Sequence, residues 1–253
     1  MNDLIRNGAA ALVDFILPRV CIVCGRRLNS KERHLCLHCL MEMPLTHFWS
    51  RSHNPMADRF NEVIDRCIQD KIEEKEAYAH ACALFFFNND DDYRKIPYQL
   101  KYQSNTDIGS FFGNMLGARL SSSELWSDVD TVIPVPLHWS RLWKRGYNQA
   151  EIIAAAVAER IGARMSDDII IRNRRTKTQT MMDIKEKELN VSGAFSVNIK
   201  AAEKYGKDIR HILLIDDVFT TGSTLFECFR ALRSVFPSPV RISVATLGFV
   251  GGV

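Results

Sequence analysis

Ile212-Leu-Leu-Ile-Asp-Asp-Val-Phe-Thr-Thr-Gly-Ser-Thr224 is the stretch on which the reading of this chain turns. The apolar run from His211 to Ile215 has the length and composition of a buried strand. It ends in two adjacent carboxylates, Asp216 and Asp217, and then in a hydroxyl-rich turn that opens a helix over Ser223 to Phe236. Ligands of open α/β sheets bind beyond the carboxyl ends of the strands, where this turn would lie. Thr220, Thr221, Gly222, Ser223 and Thr224 can present backbone N–H groups and hydroxyls to one phosphate, and the start of the helix adds a favourable dipole. Asp216 and Asp217 would repel a phosphate; they suit hydroxyl groups, a ribose diol above all. A capped helix after a strand would account for the Thr and Ser residues, but not for the acids before them.

Outward from this loop the pattern is regular. Towards the carboxyl terminus a last strand is expected over Val240 to Leu247. Towards the amino terminus come apolar runs at Ile169–Ile171, Thr131–Val135 and Ala81–Phe87, with a further candidate strand within Val191 to Val197. Helical spacing marks Gln149 to Ile161, Ile108 to Leu120, a stretch ending near Tyr102, and Asn61 to Ala79. Asn88 to Asp92 reads as a solvated turn, and Thr46 to Phe60 as a loop. Strands alternating with helices imply an α/β fold with a parallel sheet flanked by helices.

Four of the seven cysteines form two knuckles, Cys21-Ile-Val-Cys24 and Cys36-Leu-His-Cys39. Each knuckle can place two thiolates on one tetrahedral centre. Four sulfur ligands with no open position describe a structural zinc site. Arg26, Arg27, Lys31 and Arg33 between the pairs would offset the double negative charge of that centre. Cys67, Cys82 and Cys228 sit in apolar patterns and read as core residues.

Asp130 to Gln149 begins with the strand at Thr131 and continues into a basic turn with Arg141, Lys144, Arg145 and Gly146. These cations could neutralise a pyrophosphate, or they could be a basic surface turn. Lys101 is a further candidate for the same role and is equally readable as a solvated lysine at a helix end. The polar stretch Arg172 to Asn190, with Arg174, Arg175, Lys177, Lys185 and Lys187, could close over a site or remain a solvated loop.

The thirteen residues from Ile212 to Thr224 resemble the binding motif for 5-phosphoribosyl-1-pyrophosphate (PRPP) of type I phosphoribosyltransferases. By that likeness Asp216 and Asp217 hold the ribose hydroxyls, and Thr220 to Thr224 cradle the 5′-phosphate. Magnesium would bridge pyrophosphate and ribose oxygens, needing few protein ligands of its own. The basic turn, together with Leu100-Lys-Tyr102, Gln179, Asn190-Val191 and Gly193-Ala-Phe195, extends the resemblance to the ComF family of competence-associated proteins. That family joins an amino-terminal four-cysteine zinc module to a phosphoribosyltransferase-like domain, here residues 1–45 and 46–253. Two positions depart from its pattern: Lys187 stands where arginine is usual, and Ser104 where glycine is common. Lysine keeps the charge but loses bidentate geometry.

The bulk composition fits this reading. The chain has 253 residues, 46% hydrophobic and 25% charged, with a net charge of +3 too small to argue for nucleic acid by itself. No apolar run is long enough to span a bilayer. Asp3, Arg6 and Asp14 interrupt the first seventeen residues, unlike a secretory leader; Leu4 to Leu17 has helical apolar spacing stopped by Pro18 and reads as an amphipathic helix packed on the protein. With cysteines in knuckles and no leader, the expected compartment is the cytoplasm.

Three functions follow. The first is pentosyl transfer from PRPP to an acceptor, with Asp216 and Asp217 at the reacting ribose and pyrophosphate as leaving group. The second, implied by the family resemblance, is a role in natural transformation with single-stranded DNA and DNA-uptake proteins as partners. Trp139, Trp143 and Tyr147 interleaved with Arg141, Lys144 and Arg145 would suit base stacking, although such aromatics also pack turns onto a core. The third is PRPP sensing without turnover.

Overall fold

The structure is a computed structural model that describes residues 18–68, 76–88, 90–102, 106–173, 193–205 and 208–251. The expected amino-terminal helix, and the polar stretch from Arg174 through Val191 with Gln179, Lys187 and Asn190, lie outside the described residues, as does Ser104. The helices are α1 (Leu37–Met41), α2 (Pro55–Ile68), α3 (Lys95–Tyr102), α4 (Thr106–Ser121), α5 (Trp139–Arg145), α6 (Gln149–Ile161), α7 (Ile199–Tyr205) and α8 (Ser223–Arg233). The strands are β1 (Ala81–Phe86), β2 (Thr131–Pro134), β3 (Arg164–Met165), β4 (Ile170–Arg172), β5 (Phe195–Val197), β6 (His211–Phe219) and β7 (Arg241–Phe249).

Five strands form one sheet in the order β1-β7-β6-β2-β3, with every neighbouring pair parallel. Strand β6 is central, between β7 and β2, and Ile212, Leu213, Leu214 and Ile215 are all fully buried. That explains its unbroken aliphatic run, since strands covered on both faces have no polar side to show. Helix α6 packs on β2 and β6, α4 packs against α6, and α2 and α8 contact β1 and β6 respectively. The approach of α4 to α6 is close: a Cβ added at Gly113 would meet the Ile153 carbonyl at 2.9 Å. The expected parallel sheet flanked by helices is the fold observed.

Several local expectations change. The stretch expected to be a loop up to Phe60 contains the first six residues of α2, which begins at Pro55 rather than Asn61. Its start is set by Asn54, whose Oδ1 accepts the N–H groups of Met56 and Ala57 at 3.1 and 3.0 Å; Pro55 occupies the first turn, where a missing donor costs nothing. The basic turn is helix α5, capped at Gly146 with φ 81°. Strands β4 and β5 pair antiparallel with each other in a separate two-stranded sheet. Helix α6 has the expected bounds, because Asn148 caps it through Ala150 N–H and Gly162 ends it in the left-handed region.

The cysteine knuckles sit on the α/β body. Tyr93 donates from its hydroxyl to the Cys39 carbonyl at 2.7 Å, and Lys95 Nζ donates to the Val23 carbonyl at 2.7 Å. Ile22, Val23, Leu28 and Leu35 belong to the same contiguous core as the sheet. Cys82 and Cys228 are fully buried. No helix among the described residues is long and apolar enough to cross a membrane.

Candidate functional site

Strand β6 does not stop at Ile215. Asp216 pairs with Thr246 and Val218 with Gly248 of β7, so the two acids lie on the last stretch of a strand instead of a free loop. Their carboxylates are therefore held at the carboxyl edge by the ladder itself. Asp216 turns back to accept the Asp217 N–H at 2.8 Å. After Phe219 the chain makes a short turn over Thr220, Thr221 and Gly222. Thr221 and Ser223 share a hydroxyl hydrogen bond of 2.8 Å, and Gly222, at φ 79°, precedes the first residue of α8. A side chain at Gly222 would be strained by that φ and would meet the Phe219 ring at 2.7 Å. The turn therefore stays narrow, with its N–H groups and hydroxyls beside the start of an eleven-residue helix.

The acids oppose each other. Burial and then the Asp217 charge push the Asp216 carboxyl up to about 7, against the pull of Lys101 and Arg172. Lys101 Nζ lies 2.8 Å from Asp217 Oδ2. Burial works against that ammonium, but Asp217 and Asp216 outweigh it and hold its pKa above the ordinary lysine value. Lys101 is thus an ion-pair partner of the acids, not a solvated helix end. Its helix is anchored where it matters, since the Tyr147 hydroxyl donates to the Leu100 carbonyl at 2.5 Å. Tyr147, considered for base stacking, is half-buried and engaged in this tether.

The cations after β2 divide. Arg145 is half-buried, donates to Gln149 Oε1 at 3.1 Å, and its charge reaches Lys101. Arg141 is half-buried and acts electrostatically on Arg172, while Lys144 is exposed. Burial, followed by Arg141, depresses the Arg172 pKa, and Arg172 stacks over Phe195 with 5.0 Å to the ring centroid. Arg172 also feels Asp216, so the β4–β5 pair brings a cation towards the acids. On the outer side of α5, Trp139 is 70% exposed and Trp143 89% exposed. Neither tryptophan therefore packs the turn onto the core, whereas Tyr147, half-buried and bonded to Leu100, does face inward.

Two bracing residues escaped the sequence reading. Arg59 on α2 donates to the Thr220 carbonyl at 3.2 Å and lies over the Phe249 ring at 5.5 Å, fixing the outer side of the turn. Glu227, buried on α8, accepts the Gly193 N–H at 3.0 Å and pairs with Arg230 at 2.5 Å. An acid among the apolar positions Leu225, Phe226, Cys228 and Phe229 was the available signal for it.

At the amino-terminal end, the four sulfurs of Cys21, Cys24, Cys36 and Cys39 lie within 4.8 Å of one another, and Cys24 Sγ is 3.7 Å from Cys36 Sγ. Ligand–metal bonds of about 2.3 Å in a tetrahedron put sulfurs about 3.8 Å apart. The set therefore fits a structural zinc ion. The second knuckle is shaped by α1, where Cys36 is the cap and its sulfur accepts the Cys39 N–H at 3.5 Å. Burial disfavours the Cys21 thiolate, but the backbone N–H groups of Cys24, Cys36 and Val23 prevail and bring its pKa to about 7.

No family model matches the chain. Competence protein F of Haemophilus influenzae is 34% identical over 113 residues, which is 45% of this chain and 48% of that protein. DNA utilization protein YhgH of Escherichia coli O157:H7 is 26% identical over 221 residues, 84% of this chain and 83% of that protein. The aligned part thus spans about half of the first relative and most of the second. Among solved structures, the allosteric regulatory enzyme of purine biosynthesis has a TM-score of 0.36 and 18% identity, over 58% of this chain and 29% of that one. Glutamine PRPP amidotransferase from B. subtilis, complexed with ADP and GMP, has a TM-score of 0.37 and 19% identity, over 58% and 30%. The ComF resemblance read from the motifs is borne out by the sequence relatives: the chain is a homologue of competence protein F and of DNA utilization protein YhgH.

Proposed function

We propose that the carboxyl edge of the sheet binds PRPP or a closely related phosphoribosyl pyrophosphate. The observation that carries this reading is the sequence of groups along one strand end. Two crowded carboxylates, Asp216 and Asp217, are followed within a few residues by the narrow Thr220–Ser223 turn and the start of α8. A ribose diol would donate to the acids, while the 5′-phosphate would take the N–H groups and hydroxyls of Thr220, Thr221, Gly222, Ser223 and Thr224. Arg141, Lys144, Arg145 and Lys101 would face the pyrophosphate. Magnesium would be held chiefly by ligand oxygens, with Asp216 and Asp217 within the same site, and would supply charge neutralisation of the leaving group.

The chemistry open to such a site is displacement of pyrophosphate at the ribose C1. The basic groups would stabilise the departing diphosphate, and the acids would steady the ring as positive charge develops on it. Titration calorimetry with PRPP and magnesium tests binding, and pyrophosphate release across a panel of nucleobases and amines tests turnover. Tight binding with no release by any acceptor would leave a PRPP sensor and end the transferase reading.

A second reading is favoured by a separate observation. Trp139 and Trp143 stand exposed on α5 beside Lys144 and Arg141, a combination suited to stacking bases next to phosphate contacts. With the competence and DNA-utilization relatives, this supports a role in handling single-stranded DNA in the cytoplasm alongside DNA-uptake proteins. Affinity for an oligothymidine should fall steeply with added salt. Absence of binding at low salt would remove this reading.

The four cysteines would hold zinc in a structural role, within a module taken as residues 1–45 and seated on a ligand-binding domain of residues 46–253. Metal analysis should return about one zinc per chain, and chelation should lower the melting temperature. A folded chain free of metal at full stability would contradict it.

A further inference from the structure

Lys101 stands in the way of part of the ligand that the site is built to take. Its ammonium lies 2.8 Å from Asp217 Oδ2, and the Asp217 side chain is only 12% exposed, so few other approaches to that oxygen exist. A ribose hydroxyl that donates to it must first displace Nζ. The displaced cation cannot simply retreat. It is held near the acids by α3, whose Leu100 carbonyl is tied to Tyr147, and the Arg145 charge works against it. Moving a partly buried ammonium, 31% exposed, away from its carboxylate without a new anion is unfavourable. A diphosphate arriving between Lys101 and Arg145 would supply that anion.

We infer that Lys101 exchanges partners when ligand binds, leaving Asp217 for the diphosphate, so that the site admits a ribose diol only when a diphosphate comes with it. This rests on the phosphoribosyl reading of the site and adds a rule of selection to it. Ribose 5-phosphate carries the diol and the 5′-phosphate but offers Lys101 nothing in return, and it is refused. PRPP brings the replacement anion on C1 and is accepted. The same exchange favours release of the sugar phosphate once the diphosphate has gone, because Lys101 returns to Asp217 and competes with the diol.

The test is titration calorimetry of the full chain at pH 8 with magnesium, using PRPP and ribose 5-phosphate against the parent, Lys101→Met and Lys101→Arg. Lys101→Met removes both the competitor and the diphosphate contact. It is expected to bind ribose 5-phosphate at least about fivefold more tightly and PRPP at least about tenfold more weakly. Lys101→Arg preserves the charge and grips the carboxylate with two donors, so its affinity for ribose 5-phosphate should fall below that of the parent. Equal losses for both ligands in Lys101→Met, or no change in either, would overturn the exchange while leaving the phosphoribosyl reading intact. If the parent binds neither ligand, that reading falls and takes the exchange with it.

Discussion

The two ends of strand β6 carry similar groups and treat them in opposite ways. At the amino end, His211 is fully buried; its Nδ1 meets Asp128 at 2.8 Å and its Nε2 meets the Ser243 hydroxyl at 2.8 Å. Arg241 pairs with Asp128, and Asp130 accepts the N–H groups of Arg210 and His211 at 2.8 and 3.0 Å. Each acid there has a cation or donors from neighbouring elements. At the carboxyl end, Asp216 and Asp217 are adjacent on one strand and share one lysine, and burial with the Asp217 charge pushes Asp216 towards protonation. Electrostatic satisfaction marks a structural clasp, and residual strain among charges marks a place kept for a ligand. A Ser–His–Asp constellation sits at the satisfied end, yet Ser243 is only 2% exposed and its hydroxyl is taken up by His211.

This contrast can be broken by substitution. His211→Ala should give the largest effect, a loss of about 3 kcal/mol in unfolding free energy, because it empties a packed site and orphans the Ser243 hydroxyl. PRPP affinity of the remaining folded protein should be unchanged, as denaturant melts combined with calorimetry would report. Asp217→Asn should do the reverse: PRPP affinity falls by about ten- to a hundredfold, as expected for about 1.5–3 kcal/mol of charge-assisted hydrogen bonding. Its melting temperature should fall less than that of His211→Ala, because the Asp216 charge remains beside Lys101.

The pH responses have opposite signs. Burial, outweighing Asp130, holds His211 down to about 4, below the ordinary 6.5. Its contribution to stability is therefore complete above about 6.5 and is lost as pH falls towards 4. Asp216 is raised from 3.8 to about 7, so the folded state is favoured at this end below 3.8 and loses that advantage as pH rises through 7. Asp216→Asn should therefore be more stable than the parent at pH 8, by about 1–3 kcal/mol, with the gain shrinking towards pH 5. A variant less stable at pH 8 would deny the crowding of the acids. The smallest effect is expected on α5, where Trp143→Ala should leave stability within about 0.5 kcal/mol. It should also weaken oligothymidine binding by about 1 kcal/mol, while PRPP binding is untouched.

The sequence made the carboxyl end legible because its chemistry is local. Asp216 through Thr224 lie on one continuous segment, and the aliphatic run before them announces a covered strand. The knuckles were legible for the same reason. What escaped depended on contacts distant in sequence. Lys101 finds Asp217 across more than a hundred residues, and Arg59 reaches Thr220 across an even longer span. The clasp around His211 is assembled from Asp128, Arg241 and Ser243 on other elements, and no local pattern betrays it. Helix α5 was read as a turn because Trp139 and Trp143 point outward, so the segment lacks the apolar stripe that marks a packed helix. The start of α2 is written locally in Asn54-Pro55, a cap followed by a first-turn proline, but the charged run after Asn61 is the stronger helical signal in the sequence.

The central claim is that the crowded acids of β6 are kept for a phosphoribosyl pyrophosphate. It is tested most directly by calorimetric titration of PRPP, with magnesium at pH 8, into the parent chain and into Asp217→Asn. Saturable binding with about one site per chain, weakened at least about tenfold by the substitution, is the predicted result. No heat of binding to the parent, or equal affinity in the two proteins, would contradict it.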